Sequence, residues 1–532
     1  MTSPVNGPEA AVDQNPGRLG LLLAMAMFVL VVDTSIMNVS ISAVVKDLDT
    51  TASGVQSAIA LEALVSAAFI LINSKVGDLI GRKRAYVLGL CAYAVGALAM
   101  TVAQDLRAMI IFWAILGGLG AALLLPAMQS LIHGNFTGTA QAKVYALVGA
   151  AAAIAAAVGP LLGGFITTYL SWRVGFALEV VIIAIVLSQI KLVQDVPYTG
   201  ERGIDRVGAL LSVVGMGGLV LSILVWQEGG EAVGALLVVG GAALFGFARW
   251  LVRRKREGKL ALIDAGLFSS PNFRVGITSQ MFNQTALGGA MIALPLFLQM
   301  ALGYDAMKAG LSMAPLSLTM FAVAVVAGKR AGRRRPAAII RVGFALTAVG
   351  FAVIVPIVPR TGSGLALAIP LVIAGVGMGL LVSQLNNYAL APISQERISE
   401  AAGVNSAAGS FGLSFGLAFA GGIMLATLSF AFTNLSNDSA VLPPQDKQQV
   451  STVLEHDAEV MSDAQLQAQI SGQPAAIQAE IIRINDEARD RALQVAMLVP
   501  VSAAVLGFLN SFRMMRLPDI EPAADIEAAA LG

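Results

Sequence analysis

The sequence predicts an all-α membrane protein with fourteen transmembrane helices, and its composition and its long apolar runs are the two observations behind that prediction. Apolar residues make up 57% of the 532 residues and charged residues only 13%, and the mean hydropathy is +0.77. A soluble globular chain carries about 25% charged residues, so this chain has too few charges to cover a surface that faces water. Its 55 glycines recur inside the apolar runs, as in helices that pack closely in a bilayer.

Apolar runs long enough to cross a membrane recur along the whole chain. A span needs about 20 mostly apolar residues, and several runs are longer, so tilted or broken helices are expected. The predicted spans are 18–45, 53–74, 84–104, 107–132, 142–170, 173–192, 207–227, 232–251, 273–301, 306–328, 337–358, 364–390, 400–432 and 493–513.

Lysines and arginines between these runs orient the predicted helices. If the N-terminus is inside, basic clusters such as 249–259 and 329–341 fall on the cytoplasmic side, together with most of the 34 basic residues. An excess of Lys and Arg in cytoplasmic loops is the general rule. The N-terminal stretch also lacks the pattern of a signal peptide. We therefore expect a multi-pass protein of the bacterial cytoplasmic (inner) membrane with both termini in the cytoplasm.

The spans fall into groups of six, two and six, separated by polar stretches. Two related halves with a substrate site between them near the midplane are a common build for secondary transporters. The predicted organisation is a cytoplasmic tail at 1–17, a six-helix bundle at 18–195, an inserted helical pair at 206–251, a second six-helix bundle at 273–513 and a cytoplasmic tail at 514–532.

Residues 433–492 form the one long loop on the predicted outer side. Two amphipathic stretches flank a turn at Gly472-Gln473-Pro474, because Gly and Pro are the strongest local turn signals. We expect an extracellular helical hairpin between the thirteenth and fourteenth spans. It is either a solvated decoration packed on the outer helix ends or a lid or partner-docking element.

Several function classes find no support in the sequence. The net charge of +1 gives no reason to expect nucleic-acid binding, and the single cysteine, Cys91, can form neither an internal disulfide nor a Cys-based metal site. The chain has no phosphate-binding loop, no HExxH motif and no Cys/His cluster, and its only histidines are His133 and His456. We expect a monomer that works with small molecules, protons and membrane lipid, without enzymatic activity, metal or cofactor.

The loop between the second and third spans reads KVGDLIGRKR at 75–84. It resembles motif A of the major facilitator superfamily, with matches at Asp78, Gly81, Arg82 and Arg84, whereas Ser74 stands where that motif has a further glycine. The alternative is a basic cytoplasmic loop with no other role. An acid at a helix end beside three cations favours the motif, which the resemblance ties to conformational change.

The fifth span reads AVGPLLGG at 157–164. Proline frees a backbone carbonyl and bends a helix, and small residues allow close helix approach. The stretch resembles motif C, the antiporter signature of the exporters of that superfamily, and the following WRVGF at 172–176 sits where those exporters begin their sixth helix. The matching residues are Gly159, Pro160, Gly163 and Gly164.

The first span reads VVDTSIMNVSI at 31–41, with Asp33 and Asn38 in mid-helix. It is similar to the first helix of the fourteen-helix drug:proton antiporters, the branch that includes quaternary-ammonium and multidrug efflux pumps. One position departs from that family. Its motif B places an arginine tied to proton coupling four residues before Gly118, and this chain has Ala114 there, with Trp113 beside it.

Three acids lie within predicted spans of the first half: Asp33, Glu62 and Glu179. A charge at mid-bilayer costs about 2.5 kcal/mol or more, so such acids are functional candidates by default. We expect them to carry proton coupling and substrate binding, since proton and cation can compete for one carboxylate without a nearby arginine. The alternative for each is a protonated, hydrogen-bonded structural group.

The second half offers amides rather than acids. Asn38 of the first half and four amides of the second are candidates for a polar cavity, and interhelical hydrogen bonding is the alternative for each. Met281, Phe282, Met291, Phe297 and Met300 would suit a loose apolar pocket. The four amides of the second half are Asn283, Asn386, Asn387 and Asn405.

Taken together, the motifs and the acids predict proton-driven efflux of lipophilic, cationic drugs or antiseptics. The alternative is an exporter of the same fold that carries a lipid-like or metabolite substrate, with atypical or no proton coupling. A membrane enzyme or receptor is a third possible class of protein, and the sequence contains no catalytic motif that would favour it.

Overall fold

The protein is entirely helical in the part of the chain that its structure, a computed structural model, describes. That part comprises residues 16–136, 138–195, 203–227, 230–329, 334–360, 362–393, 397–443, 447, 466–467 and 470–518. The long helices are α1 Pro16–Asp47, α2 Ala52–Ile80, α3 Arg82–Met100, α4 Gly118–Asn135, α5 Gly138–Tyr169, α6 Trp172–Ser188, α7 Arg206–Gln227, α8 Val233–Arg256, α9 Pro271–Met300, α10 Ala306–Lys329, α11 Pro336–Ile357, α12 Ala368–Leu390, α13 Ile398–Asp438, α14 Ala475–Ala496 and α15 Leu498–Arg516.

Twelve helical segments of the described residues are long and apolar enough to cross a membrane. They include every long helix except α3 and α6, with α14 and α15 counted as one segment of 42 residues. The helix α3 has 19 residues and starts with three cations, and α6 has 17 residues. The all-α multi-pass membrane fold is therefore confirmed, with about 12 to 14 membrane helices.

The largest apolar core runs through both halves of the chain, and a second apolar core lies within the first half. Helices α1 to α6 contact one another, and α9 to α13 pack with α15. The two halves meet along α2 and α13 and along α5 and α10. At the first of these contacts Ser414 donates a hydrogen bond to the carbonyl of Ala60 at 2.7 Å, and at the second the Met307 amide donates to the Thr168 hydroxyl at 3.0 Å.

Helices α7 and α8 pack against each other, and α7 also lies on α2 and α13. The buried carboxylate of Asp205 holds together the end of the pair where α7 begins and α8 ends. It accepts hydrogen bonds from the Gly208 amide at 3.0 Å, from the Trp250 indole at 2.9 Å and from the Leu262 amide at 3.3 Å. One side chain thus joins the start of α7, the helix α8 and the connection to the second half.

Helix α14 lies across one end of the second half. It packs mainly on α13, and its buried Arg489 and half-buried Gln494 donate hydrogen bonds to the carbonyls of Met300 and Val355, the latter at 2.9 Å. A cation at the end of a helix satisfies free carbonyls and complements the helix dipole. The helix predicted for the second arm of the outer loop is present, whereas most of the first arm lies outside the described residues.

Several boundaries differ from those predicted. Helix α13 continues to Asp438, six residues beyond the predicted span, because its last turns pack under α14. The predicted span 107–132 divides into a π-helix at Met109–Gly117 and α4. In a π-helix the backbone hydrogen bonds join residues five apart in sequence, one more than in an α-helix. Such segments occur frequently at functional sites.

Candidate transport site

The three intramembrane acids of the first half converge on one buried cluster. Asp33 on α1, Glu62 on α2 and Glu179 on α6 are 1%, 8% and 2% exposed. Asp33 lies close enough to interact electrostatically with each of the other two, and Tyr93 on α3 lies within range of all three. Four helices thus contribute to a single polar site within an apolar bundle. We call the three acids of this site, Asp33, Glu62 and Glu179, the acid cluster.

Asp33 is held by two neutral donors. The Trp113 indole donates to its Oδ2 atom at 2.7 Å, and the Tyr93 hydroxyl donates a short hydrogen bond to the same atom. Its Oδ1 atom is buried and, within the described residues, has no hydrogen-bond partner, and the same holds for Oε2 of Glu179. The cluster therefore retains free acceptor atoms for a proton or a ligand.

No ion pair among the described residues involves the acid cluster. The ion pairs that the described parts of the chain contain lie at helix ends, in loops or along α14, such as Arg173 with Asp47, Arg397 with Asp264 and Arg483 with Glu487. The carboxylates consequently face one another and neutral donors in a region of low dielectric. Repulsion between like charges and loss of water both favour binding of a proton or of a foreign cation there.

The π-helix places Trp113 against Asp33. Trp113 and Ala114 are both fully buried, but only the first reaches the acid. The Trp113 ring meets Phe176 edge-to-face with centroids 6.2 Å apart, and Phe176 lies one turn before Glu179 on α6. Close packing below the π-helix depends on Gly118, where a Cβ would lie 2.8 Å from the carbonyl oxygen of Glu62.

The four residues that resemble motif C lie at two helix interfaces. A Cβ at Gly159 would overlap Ser35 of α1, and one at Gly163 would lie 2.8 Å from the Cα of Ile36. On the other side, a Cβ at Gly164 would lie 2.6 Å from the carbonyl oxygen of Ala306. A Cβ at Gly310 of α10 would overlap the carbonyl oxygen of Pro160. Helix α5 thus joins the helix that carries Asp33 to the second half.

The residues that resemble motif A form a tight turn between α2 and α3. Gly81 has a φ of +99°, a conformation that glycine adopts without strain. Arg82 pairs with Asp78 at 3.5 Å, and the Asp195 carboxylate, after α6, accepts from the Lys83 amide at 3.0 Å. Three chain segments therefore meet at this turn, and Arg84 lies exposed beside it.

The predicted cavity amides do not form a single group. Asn405 donates to Asn386 at 2.7 Å, and Asn386 and Asn387 are exposed near the C-terminal end of α12. Asn283 is buried on α9, and Asn38 is buried on α1, where it donates to the Thr34 carbonyl at 2.8 Å. Only Asn38 lies on a helix of the acid cluster.

An apolar cavity of about 410 Å³ lies in the second half between α9, α13 and α15. Met281 and Phe282, two residues predicted for an apolar pocket, line it. The rings of Phe411, Phe415 and Phe419 follow one another along its α13 side. This cavity and the acid cluster lie in different halves of the molecule. Phe297 and Met300 instead line a small cavity beneath Arg489.

Two residues of the site were not predicted from the sequence. Tyr93 lies in an apolar run outside every motif, and Trp113 is the sequence neighbour of Ala114, at the position beside the missing arginine. A tyrosine hydroxyl or an indole N–H in mid-span needs a buried partner. That requirement is the one sequence signal that could have linked them to the acids.

The sequence of the chain matches the model of the Major Facilitator Superfamily over residues 23–417. It is 27% identical over 441 residues to the Probable actinorhodin transporter of Streptomyces coelicolor, covering 79% of this chain and 74% of that protein. It is 26% identical over 496 residues to the Multidrug resistance protein Stp of Mycobacterium tuberculosis, covering 92% and 90%. With the Multidrug export protein EmrB of Escherichia coli it shares 28% identity, over 62% of this chain and 65% of that protein.

Solved structures show the same fold at low identity. A bacterial homolog of the human lysosomal transporter Spinster, in an inward-facing and unoccupied conformation, matches with a TM-score of 0.62 and 13% identity, over 95% of this chain and 98% of that chain. Together with the family match and the similarity to drug and antibiotic exporters, this confirms the resemblance to drug:proton antiporters. The chain is a multi-pass membrane transporter that belongs to the Major Facilitator Superfamily.

Proposed function

We propose that the protein is a proton-coupled efflux antiporter for lipophilic, cationic drugs or antiseptics. The observation that carries the proposal is the acid cluster, three buried carboxylates that no cation of the described residues neutralises. Ionisable groups at membrane depth are energetically costly. They are therefore rare there, and those that occur usually mark the path of an ion or a substrate. The similarity to drug and antibiotic exporters supports the direction of transport and the class of substrate.

The exchange would follow from competition for the acid cluster. When the cluster is protonated it is neutral and has no charge to attract a cation. When it loses a proton, a lipophilic cation takes the place of that proton, and Asp33 Oδ1 and Glu179 Oε2 are the free acceptors that would face either ligand. A substrate that binds one state better than the other shifts the equilibrium between them. The proton gradient would then drive export without any cofactor or covalent chemistry.

We further propose the membrane arrangement that the sequence predicts. Adding α3 and α6 to the twelve apolar segments gives fourteen crossings, arranged as bundles at 18–195 and 273–513 with an inserted pair at 206–251. Both tails, 1–17 and 514–532, would lie in the cytoplasm of a bacterium. The loop 433–492 would be an extracellular helical hairpin that packs on the outer helix ends, and the transporter would act as a monomer.

Motifs A and C would serve the change between inward and outward access. In the proposed arrangement the Asp78–Arg82 pair would lie at the cytoplasmic end of α2, and the Pro160–Gly310 approach would lie in the opposite half of the bilayer. Alternating access requires one side to close as the other opens. Close backbone contact between the halves on one side is consistent with a closed outer gate.

Efflux in everted membrane vesicles tests the proposal. Vesicles from cells that overproduce the protein should take up a lipophilic cationic dye when energised, and an uncoupler should abolish the uptake. Asp33→Asn should show no energised uptake at a comparable protein level. Uptake that is insensitive to the uncoupler would contradict proton coupling, and uncoupler-sensitive uptake by Asp33→Asn would exclude Asp33 from it.

A second candidate is an exporter of an uncharged, lipid-like substrate. The observation that favours it is the apolar cavity between α9, α13 and α15, whose lining includes only two hydroxyl side chains, Thr285 and Ser502. A substrate panel in a host that lacks its own pumps separates the two candidates. Protection against neutral lipophilic compounds alone, unaffected by Asp33→Asn, would support the second.

A further inference from the structure

We propose that Trp113, with Tyr93, is the positioning residue of Asp33 and takes the place of an arginine at the acid cluster. The inference rests on the proposed function and concerns how its central carboxylate is held. Both donors bind the same oxygen, Oδ2, from different helices. The carboxylate is thereby fixed in one orientation, and Oδ1 is the atom left to take the proton or the substrate.

The Trp113 ring is itself fixed by its surroundings. It is 1% exposed, it meets Phe176 edge-to-face, and Phe176 in turn meets Trp172 with centroids 5.9 Å apart. A fully buried ring in close-packed surroundings has little freedom to turn its N–H away. The π-helix at Met109–Gly117 sets the rotation of the backbone that directs this ring at α1.

A neutral hydrogen-bond donor affects the charge and the substrate preference of this site differently from an arginine. A guanidinium would stabilise the charged carboxylate strongly and would repel a cationic substrate. An indole N–H or a phenol O–H orients the same oxygen by a weaker bond and adds no positive charge. The cluster can therefore attract a cation directly, and its proton affinity is set by the two donors together with the neighbouring acids.

Proton release on drug binding, followed as a function of pH, tests the proposal. In purified wild-type protein, a lipophilic cation such as ethidium should release a proton from the acid cluster with a defined pH midpoint. Trp113→Phe keeps a ring but removes the donor to the carboxylate, so the midpoint should move to higher pH by about one unit. Tyr93→Phe should move it in the same direction.

Matched variants separate positioning from packing. Trp250→Phe removes an indole bond to Asp205, outside the cluster, and Tyr86→Phe removes a buried hydroxyl from the same helix as Tyr93. Both should keep the wild-type midpoint. If Trp113→Phe and Tyr93→Phe also keep it, or change only drug affinity, the positioning role is overturned, although the proposed function stands. If drug binding to wild-type protein releases no proton at any pH, the proposed function itself fails.

Discussion

Asp33 is bonded by side chains from α3 and from the π-helix, and Glu62 and Glu179 approach it from α2 and α6. At the scale of single residues, the site is thus a carboxylate oriented by neutral donors and flanked by two further acids. In the low dielectric of a bundle core such groups interact much more strongly than in water. Their number and their mutual distances therefore decide which ligand charge the site accepts.

Glu62→Gln should discriminate between substrates by charge. Loss of one acid removes attraction for a cation but no contact with a neutral compound, so efflux of a monovalent cationic dye should fall about tenfold, roughly 1.4 kcal/mol of binding free energy. Paired transport assays with a cationic and a neutral substrate measure this. Glu231→Gln, which changes an exposed acid between α7 and α8, is the control. Equal loss for both substrates would show that Glu62 acts in proton coupling, folding or packing and does not attract the cation.

Sequence alone identified each acid of the cluster but not their convergence. A charge in mid-span is recognisable from hydropathy, and the rise per residue gives its depth. Which way the side chain points depends on how helices rotate against one another, and no local pattern encodes that. Trp113 shows the limit most clearly, because a π-helix changes which residue of the fourth span faces α1.

At the scale of helices, α5 joins α1, which carries Asp33, to the second half, while α2 meets the second half directly. One face packs on α1 through Gly159 and Gly163, and another meets α10 through Pro160 and Gly164. The motif was predicted from its small residues, as was the close approach that they allow. The helices that pack against α5 could not be predicted, since a pattern of glycines indicates a close contact but not which helix makes it.

Gly164→Val should abolish transport while the protein still reaches the membrane. The new side chain would meet the backbone of Ala306, which cannot move aside without separating α5 from α10, and such overpacking costs about 1–3 kcal/mol. Dye efflux and membrane abundance measure the two effects. Gly149→Val on the same helix is the control, because a Cβ there meets no other atom within 4 Å. Full activity of Gly164→Val would contradict a tight α5–α10 contact.

Asp205→Ala should destabilise the inserted pair without changing proton coupling. The substitution leaves the amides of Gly208 and Leu262 and the indole of Trp250 without their acceptor, and loss of a helix cap alone costs about 1 kcal/mol. Thermal unfolding in detergent should show a lower Tm, while the ratio of protons to dye stays at the wild-type value. A changed ratio would give α7 and α8 a part in coupling.

At the scale of the whole molecule, the grouping of the spans into six, two and six stays a prediction from the sequence. Hydropathy and the alternation of basic loops define such a grouping because both reflect the membrane itself. Hydropathy and basic loops do not define how the two halves of the chain pack against each other. The contacts α2–α13 and α5–α10, and the seat of α14 on the second half, depend on complementary surfaces formed by residues far apart in the chain.

Labelling of introduced cysteines should establish the proposed orientation. In a background that carries Cys91→Ala, Glu487→Cys on α14 should react with a membrane-impermeant maleimide in intact cells. Glu257→Cys, in the basic loop after α8, should react only after the cells are opened. The reverse pattern would invert the topology and place the charged face of α14 in the cytoplasm.

The central claim is that a lipophilic cation and a proton compete for the acid cluster. Its most direct test is the proton released when such a cation binds to purified protein in weakly buffered solution, measured beside the binding itself. We predict that wild-type protein releases a proton on binding and that Asp33→Asn, at a drug concentration where it still binds, releases none. Measurable drug binding to wild-type protein without proton release, or the same release from Asp33→Asn, would contradict the claim.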